Sequence, residues 1–265
     1  MTAPGSAVGF FTDSSLCIGC KACEVACKQW NQLPADGIEF TGMSYDNTRG
    51  FSATTWRHVQ FIEQVDDAGA VRWLFNSDVC KHCADAPCEN ACPTAAIIRT
   101  EFDTVYVQQD VCNGCGYCVV ACPFGVLEVE SRARDCSSLS EGTAHKCTLC
   151  YDRLQDGMEP ACAKVCPTDS IQFGDLAELH ERAKRRVEQL RDRGEARAQL
   201  YGEPEGHELG GLHSLFLLLD EPERYNLPRH PRSPKRAMKA FYLAGLAAAI
   251  AVTGAIGLAL RSNPA

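Results

Sequence analysis

The chain has 265 residues, 17 cysteines and a formal net charge of −8, and its sequence pI is near 5.4. The acidic balance, with no basic stripe interleaved with aromatics, excludes a nucleic-acid binder. The opening Met-Thr-Ala-Pro-Gly-Ser has no charged n-region or apolar h-region, so no secretory signal is expected. A disulfide framework is then disfavoured unless an exported partner carries the signal, which leaves zinc or iron–sulfur chemistry for the cysteines.

In chain order, Val8-Gly-Phe-Phe-Thr-Asp reads as an opening strand. It leads into a first group, Cys17, Cys20, Cys23 and Cys27, spaced C-x2-C-x2-C-x3-C and followed by Lys28. Residues 28–79 form a cysteine-free insertion, in which 56–63 and 71–75 read as strands of a hairpin turning at 66–69. The second group is Cys80, Cys83, Cys88 and Cys92 with Pro93, its middle gap widened to four residues. A second hairpin, 96–99 with 104–107, delivers the chain to Cys112, Cys115, Cys118 and Cys122 with Pro123. There Gly114 and Gly116 let backbone N–H groups approach the sulfurs. A polar stretch precedes the fourth group, Cys147, Cys150, Cys162 and Cys166 with Pro167, whose middle gap is eleven residues. Four copies of one loop are an internal repeat with a chemical purpose.

From Asp175 the period changes to that of a helix, with Leu176, Leu179, Ala183, Val187 and Leu190 on one face and Gly194 as the stop. The run 215–219 reads as a strand or buried extended segment, and the Pro-rich basic stretch 228–239 as a linker. Residues 240–260 hold no charge over 21 positions, which predicts a single C-terminal transmembrane helix without a histidine to ligate haem. Gly245, Ala249, Thr253 and Gly257 recur every four residues, a spacing that permits close helix contact in a bilayer and that an Ala-rich span also collects by chance.

The run C-x2-C-x2-C-x3-C-P is the ligand pattern of two-cluster bacterial ferredoxins, in which the fourth cysteine serves the other cluster. Zinc knuckles draw two cysteines from each of two separated pairs. Triplets within seven residues and a trailing proline in three of four groups fit cubane loops better. Sixteen grouped cysteines therefore suffice for four [4Fe–4S] clusters. The preferred pairing is nested: Cys17, Cys20, Cys23 with Cys166; Cys147, Cys150, Cys162 with Cys27; Cys80, Cys83, Cys88 with Cys122; and Cys112, Cys115, Cys118 with Cys92. Sequential pairing fits the spacing too. The expected fold is α+β, two interleaved ferredoxin-like units over 1–174 with the 28–79 insertion, a helix and extended segment over 175–236, and a membrane helix over 237–261. Cys136 is left over as a free thiol. Lys81 and His82 are either tuners of a cluster potential or an exposed loop pair. No dinucleotide fingerprint, P-loop or nucleophile constellation is present, so no substrate of its own and no catalytic residue are expected. Four clusters suggest a wire; the competing reading is a membrane-tethered structural or sensor protein.

Taken together, the groups and their gaps resemble the electron-transfer subunits of membrane-bound molybdopterin oxidoreductases. Cys17-Ile-Gly-Cys-Lys-Ala-Cys-Glu-Val-Ala-Cys-Lys-Gln-Trp-Asn, the segment from Gly42, Ser77-Asp-Val-Cys-Lys-His-Cys, Lys146-Cys-Thr-Leu-Cys-Tyr-Asp-Arg and Leu217-Leu-Leu-Asp-Glu-Pro-Glu-Arg-Tyr are similar to the formate dehydrogenase branch. Dimethyl sulfoxide, polysulfide and nitrate reductases are the alternatives. The resemblance implies a molybdopterin or tungstopterin catalytic subunit as electron donor and a membrane cytochrome b-type subunit as acceptor. Sidedness is in conflict: Arg229, Arg232, Lys235, Arg236 and Lys239 before the helix favour a cytoplasmic cluster domain. The resemblance instead favours export with the partner, and the outer side is preferred.

Overall fold

The computed structural model describes residues 6–35, 40–42, 45–65, 69–129, 142–205 and 207–262, with side chains of the last helix at 234–235 and 241–257. Most of the turn expected at 66–69, and Cys136, lie outside the described residues. In chain order the elements are β1 (Val8–Asp13), α1 (Ala22–Trp30), β2 (Arg57–Val65), β3 (Val71–Val79), α2 (Pro87–Asn90), β4 (Ile97–Arg99), β5 (Val105–Val107) and α3 (Tyr117–Ala121). There follow β6 (Glu128–Val129), β7 (Ala144–His145), α4 (Tyr151–Gln155), α5 (Ala161–Lys164), β8 (Ile171–Asp175), α6 (Leu176–Asp192), β9 (Gln199–Tyr201), β10 (Ser214–Leu218) and α7 (Pro234–Ser262).

One four-stranded sheet, ordered β8-β1-β10-β9, closes the chain on itself. Its β1 precedes the first cysteine group and pairs antiparallel with β8, which follows the fourth. The other edge of β1 pairs parallel with β10, so the run expected as a strand or extended segment lies inside the sheet. Every residue of β1 and β10 is buried, as expected of strands covered on both faces. On one face lies α6, burying Leu179, Ala183, Val187 and Leu190 against Phe11, Leu215 and Leu217. Asp175 caps it, accepting from the N–H groups of Ala177 at 2.9 Å and Glu178 at 3.2 Å.

The insertion forms the β2–β3 hairpin in register from Arg57 opposite Val79 to Val65 opposite Val71. Phe61, Trp73 and Phe75 pack edge-on and tilted around it. The β4–β5 hairpin joins the second and third cysteine groups, and the short β6–β7 pair joins the third and fourth. The short helices that carry the cysteines pack in two pairs, α1 on α5 and α2 on α3. These contacts already place the first group beside the fourth and the second beside the third. The larger core contains cysteines throughout, so the metal-site loops and the hydrophobic core are one body.

The C-terminal helix forms where expected, opening on Pro234, a residue suited to a first helical turn. It has 29 residues, a length of about 43 Å at the usual rise. Its described apolar side chains, among them Leu243, Leu246 and Ile250, are exposed. The transmembrane expectation is not supported by the structure: among the described residues no helix is long and apolar enough to cross a membrane.

Candidate metal centres

The four cysteine loops share one backbone solution. In each C-x-x-C the residue before the second cysteine is left-handed: Gly19 (φ 67°), His82 (φ 43°), Gly114 (φ 69°) and Leu149 (φ 58°). A side chain in this region costs about 1–2 kcal/mol, so its recurrence at His82 and Leu149 marks a geometry imposed by the site. Each group then enters a short helix carrying its third cysteine or ending just before the fourth. Where proline follows the fourth cysteine, the chain turns left-handed three residues beyond that cysteine, at Ala95, Gly125 and Asp169. Lys28 replaces that proline in the first group, and α1 continues past Cys27 to Trp30.

Cys17, Cys20, Cys23 and Cys166 line one cavity of about 300 Å³ of empty volume, walled by Val59, Ser77 and Ile171. A second cavity of the same volume is lined by Cys80, Cys83, Cys88 and Cys122, with His82 and Phe124 in its wall. Burial, and then the charges of Cys147, Cys162 and Cys150, push the Cys27 thiol well above its ordinary value, so these four also converge. Likewise burial and the charges of Cys112, Cys115 and Cys92 push Cys118 up to about 11. Two of the four nested quartets, 17/20/23/166 and 80/83/88/122, thus line common cavities.

Charge effects between neighbouring quartets give them an order. Cys162 acts electrostatically on Cys23, Cys80 on Cys147, and Cys118 on Cys88. The order is therefore 17/20/23/166, then 27/147/150/162, then 80/83/88/122, then 112/115/118/92. Every cysteine of the second quartet is buried, whereas the end quartets each expose one, Cys20 and Cys115. An order of buried sites with both ends open suits a conduit.

The donor set fits iron–sulfur clusters. Burial pushes Cys23, Cys88 and Cys147 up to about 12, so in this interior thiolates persist only against metal charge. Several sulfurs receive hydrogen bonds: the Leu149 N–H donates to Cys147 Sγ at 3.3 Å, the Ala144 N–H to Cys112 Sγ at 3.4 Å, and Asn31 Nδ2 to Cys27 Sγ at 3.7 Å. At Cys92 burial is outweighed by bonds from the Thr94 hydroxyl and the N–H groups of Ile97, Thr94 and Ala96, which hold the thiol below its ordinary value. Among the described residues no group of three or more His, Cys, Asp or Glu converges closely enough to hold a single metal ion.

Lys81 and His82 are both 1% exposed, so the exposed-pair reading is overturned. The ammonium of Lys81 pairs with Asp78 and lies 5.1 Å from the Phe124 ring centre. His82 Nδ1 accepts the Val105 N–H at 3.1 Å, and burial, then the Lys146 charge, holds the ring neutral. Three buried groups beside the sulfurs had no signal in the cysteine motifs: Arg57, Ser77 and Lys146. Lys146 follows His145 in an ordinary polar stretch, yet its Nζ is buried, donating to the carbonyls of Val105 and Cys147.

Comparison with known proteins bears on the family. Residues 71–176 match one 4Fe-4S dicluster domain family and residues 16–96 another. The chain is 40% identical over 249 residues to the nitrate-inducible formate dehydrogenase iron-sulfur subunit of Escherichia coli (strain K12), covering 90% of this chain and 80% of that one. It is 40% identical over 223 residues to the formate dehydrogenase-O iron-sulfur subunit of the same organism, covering 83% and 70%. The B subunit of the anaerobic dimethyl sulfoxide reductase of that organism is 34% identical over 179 residues, covering 66% and 76%. Cysteine quartets, dicluster matches and relatives lead to one assignment: the chain belongs to the family of formate dehydrogenase iron–sulfur subunits, electron-transfer proteins carrying four [4Fe–4S] clusters.

Proposed function

We propose that this chain connects a molybdopterin or tungstopterin formate dehydrogenase subunit to a cytochrome b-type membrane subunit, with α7 as anchor through the uncharged run 240–260, whose side chains the structure describes only at 241–257. The sixteen grouped cysteines, in the nested quartets, are the proposed ligands. When bound, the clusters supply one-electron transfer at potentials set by their surroundings. The protein's part is to hold the quartets in line, keep water from the middle ones and open one cysteine at each end. That order, with exposed Cys20 and Cys115 in its end quartets, is the observation carrying the reading.

Polarity follows from the position of α7. Its stem, residues 230–234, lines a groove together with Val120, Ala121 and Pro123 of the third cysteine group. Lys235 at its start lies 3.8 Å from Asp85 in the second group. We therefore place the 112/115/118/92 quartet toward the membrane subunit and the 17/20/23/166 quartet toward the catalytic subunit. The domain reading is residues 1–174 for the clusters, 175–236 for the segment completing the central sheet, and 237–261 for the membrane span.

The test is to isolate the tagged chain from solubilised membranes, measure its metals and add formate. Molybdenum or tungsten in the complex, with iron–sulfur absorbance bleached by formate, is expected. A pterin metal with clusters indifferent to formate would discard the substrate and keep the conduit. Zinc without iron would overturn the reading entirely.

A further inference from the structure

Arg57, the first residue of β2, is 1% exposed and heads the fully buried side chains by volume. A buried guanidinium is ordinarily paired with a carboxylate, because an uncompensated charge in the interior is strongly unfavourable. Here Nη1 donates to the Ser77 carbonyl at 3.2 Å and to Ser77 Oγ at 2.8 Å. Its guanidinium carbon lies 4.9 Å from the Phe10 ring centre. Nε and Nη2 are buried without a hydrogen-bond partner among the described residues.

The missing negative charge lies on the cysteines. Burial works against the Arg57 charge, and the charges of Cys162, Cys23, Cys147 and Cys27 outweigh it and hold the guanidinium protonated. Cys23 belongs to the first quartet in the file and the other three to the second, so Arg57 stands where the two sites meet. Ser77 adds a directional link: its Oγ is 3.2 Å from Cys23 Sγ. A metal-bound thiolate only accepts, so the Ser77 hydroxyl donates to the sulfur while its oxygen accepts from Arg57.

We propose that Arg57 is a buried counter-charge shared by the 17/20/23/166 and 27/147/150/162 cluster sites, and that it holds both reduction potentials up. The proposal rests on the electron-transfer reading above. A fixed cation stabilises whichever redox state carries more negative charge, and taking up one electron adds one unit. Both sites therefore gain from it, while the two farther along the file feel it weakly. The competing role for Arg57 is a structural tie between β2 and β3 through Ser77.

Potentiometric titration of the cluster-loaded complex, followed by electron paramagnetic resonance, separates the two roles. Arg57→Met should lower two of the four midpoint potentials with iron content unchanged. Each shift should reach at least a ten-fold change in the one-electron equilibrium, about 59 mV. Arg57→Lys, which keeps the charge and loses the fork, should restore most of the shift. Ser77→Ala should lower one potential only. Four unmoved midpoints, equal movement of all four, or an Arg57→Lys variant behaving like Arg57→Met would overturn the proposal and leave the conduit standing. A wild-type complex with no reducible centres would overturn both. If Arg57→Met loads poorly, the Arg57→Lys and Ser77→Ala titrations carry the test.

Discussion

Alanine at Gly114 and alanine at Gly116 are one change two residues apart, and the structure gives them different outcomes. Both glycines are left-handed, φ 69° and 77°, so each substitution carries about 1–2 kcal/mol of backbone strain. At Gly116 a new Cβ meets no heavy atom within 4 Å. At Gly114 it would lie 1.8 Å from the Gly142 carbonyl oxygen, so that segment must retreat by roughly 1.5 Å to reach ordinary contact. Overpacking of this kind adds about 1–3 kcal/mol. The retreat also pulls on Ala144, whose N–H bonds Cys112 Sγ at 3.4 Å. Gly114→Ala should therefore destabilise the protein by about 2–5 kcal/mol in total. It should also perturb one cluster, the one held by 112/115/118/92, lowering its potential or its iron occupancy. Gly116→Ala should keep all four. Thermal denaturation, iron analysis and paramagnetic resonance on both variants provide the check. Equal behaviour of the two, or damage in Gly114→Ala to other quartets, would refute the reasoning.

Leu179→Ala opens a cavity in the core between α6 and the sheet, which contains no cysteine. It should cost about 2–5 kcal/mol in denaturant unfolding and leave the four potentials in place. Asp220, 3% exposed, accepts from Gln64 Nε2 at 2.9 Å and the Glu221 N–H at 2.9 Å, and lies beside Arg197. Burial pushes its carboxyl up, but these hydrogen bonds and the Arg197 charge outweigh that and hold it below its ordinary value. A depressed carboxyl gives stability that is fully present above its unfolded pKa of about 3.9 and is lost as pH falls through the lower folded one. Asp220→Asn should therefore cost about 1–2 kcal/mol, with the deficit constant from about pH 5 to 8. A deficit that grows or vanishes within that range would contradict the assignment.

What the sequence made legible follows the range of each signal. The cysteine loops, both hairpins and α6 are local, and their spacing or periodicity identifies them. Register across distant segments is not local. Nothing in 214–218 states that it lies parallel to 8–13, because a short apolar run fits any sheet position. Spacing alone also left nested and sequential pairing open, and the α1–α5 and α2–α3 contacts favour the nested one. The buried cations were invisible for a related reason. Arg57 falls inside the expected strand 56–63, where nothing in the run marks it as buried, and only the fold reveals that it is. The lone chemical departure in the sequence, Lys28 for proline, did carry structural meaning, since α1 runs on past Cys27.

The linear, nested conduit is tested most directly by pairs of ligand substitutions read by counting perturbed clusters. Cys20→Ala with Cys166→Ala removes two ligands from one site under nested pairing and one ligand from each of two sites under sequential pairing. Cys20→Ala with Cys92→Ala reverses the two expectations. Iron content and paramagnetic resonance of the reduced complexes count the affected centres. The account predicts one affected cluster for Cys20 with Cys166 and two for Cys20 with Cys92. Two for the first pair and one for the second would contradict it.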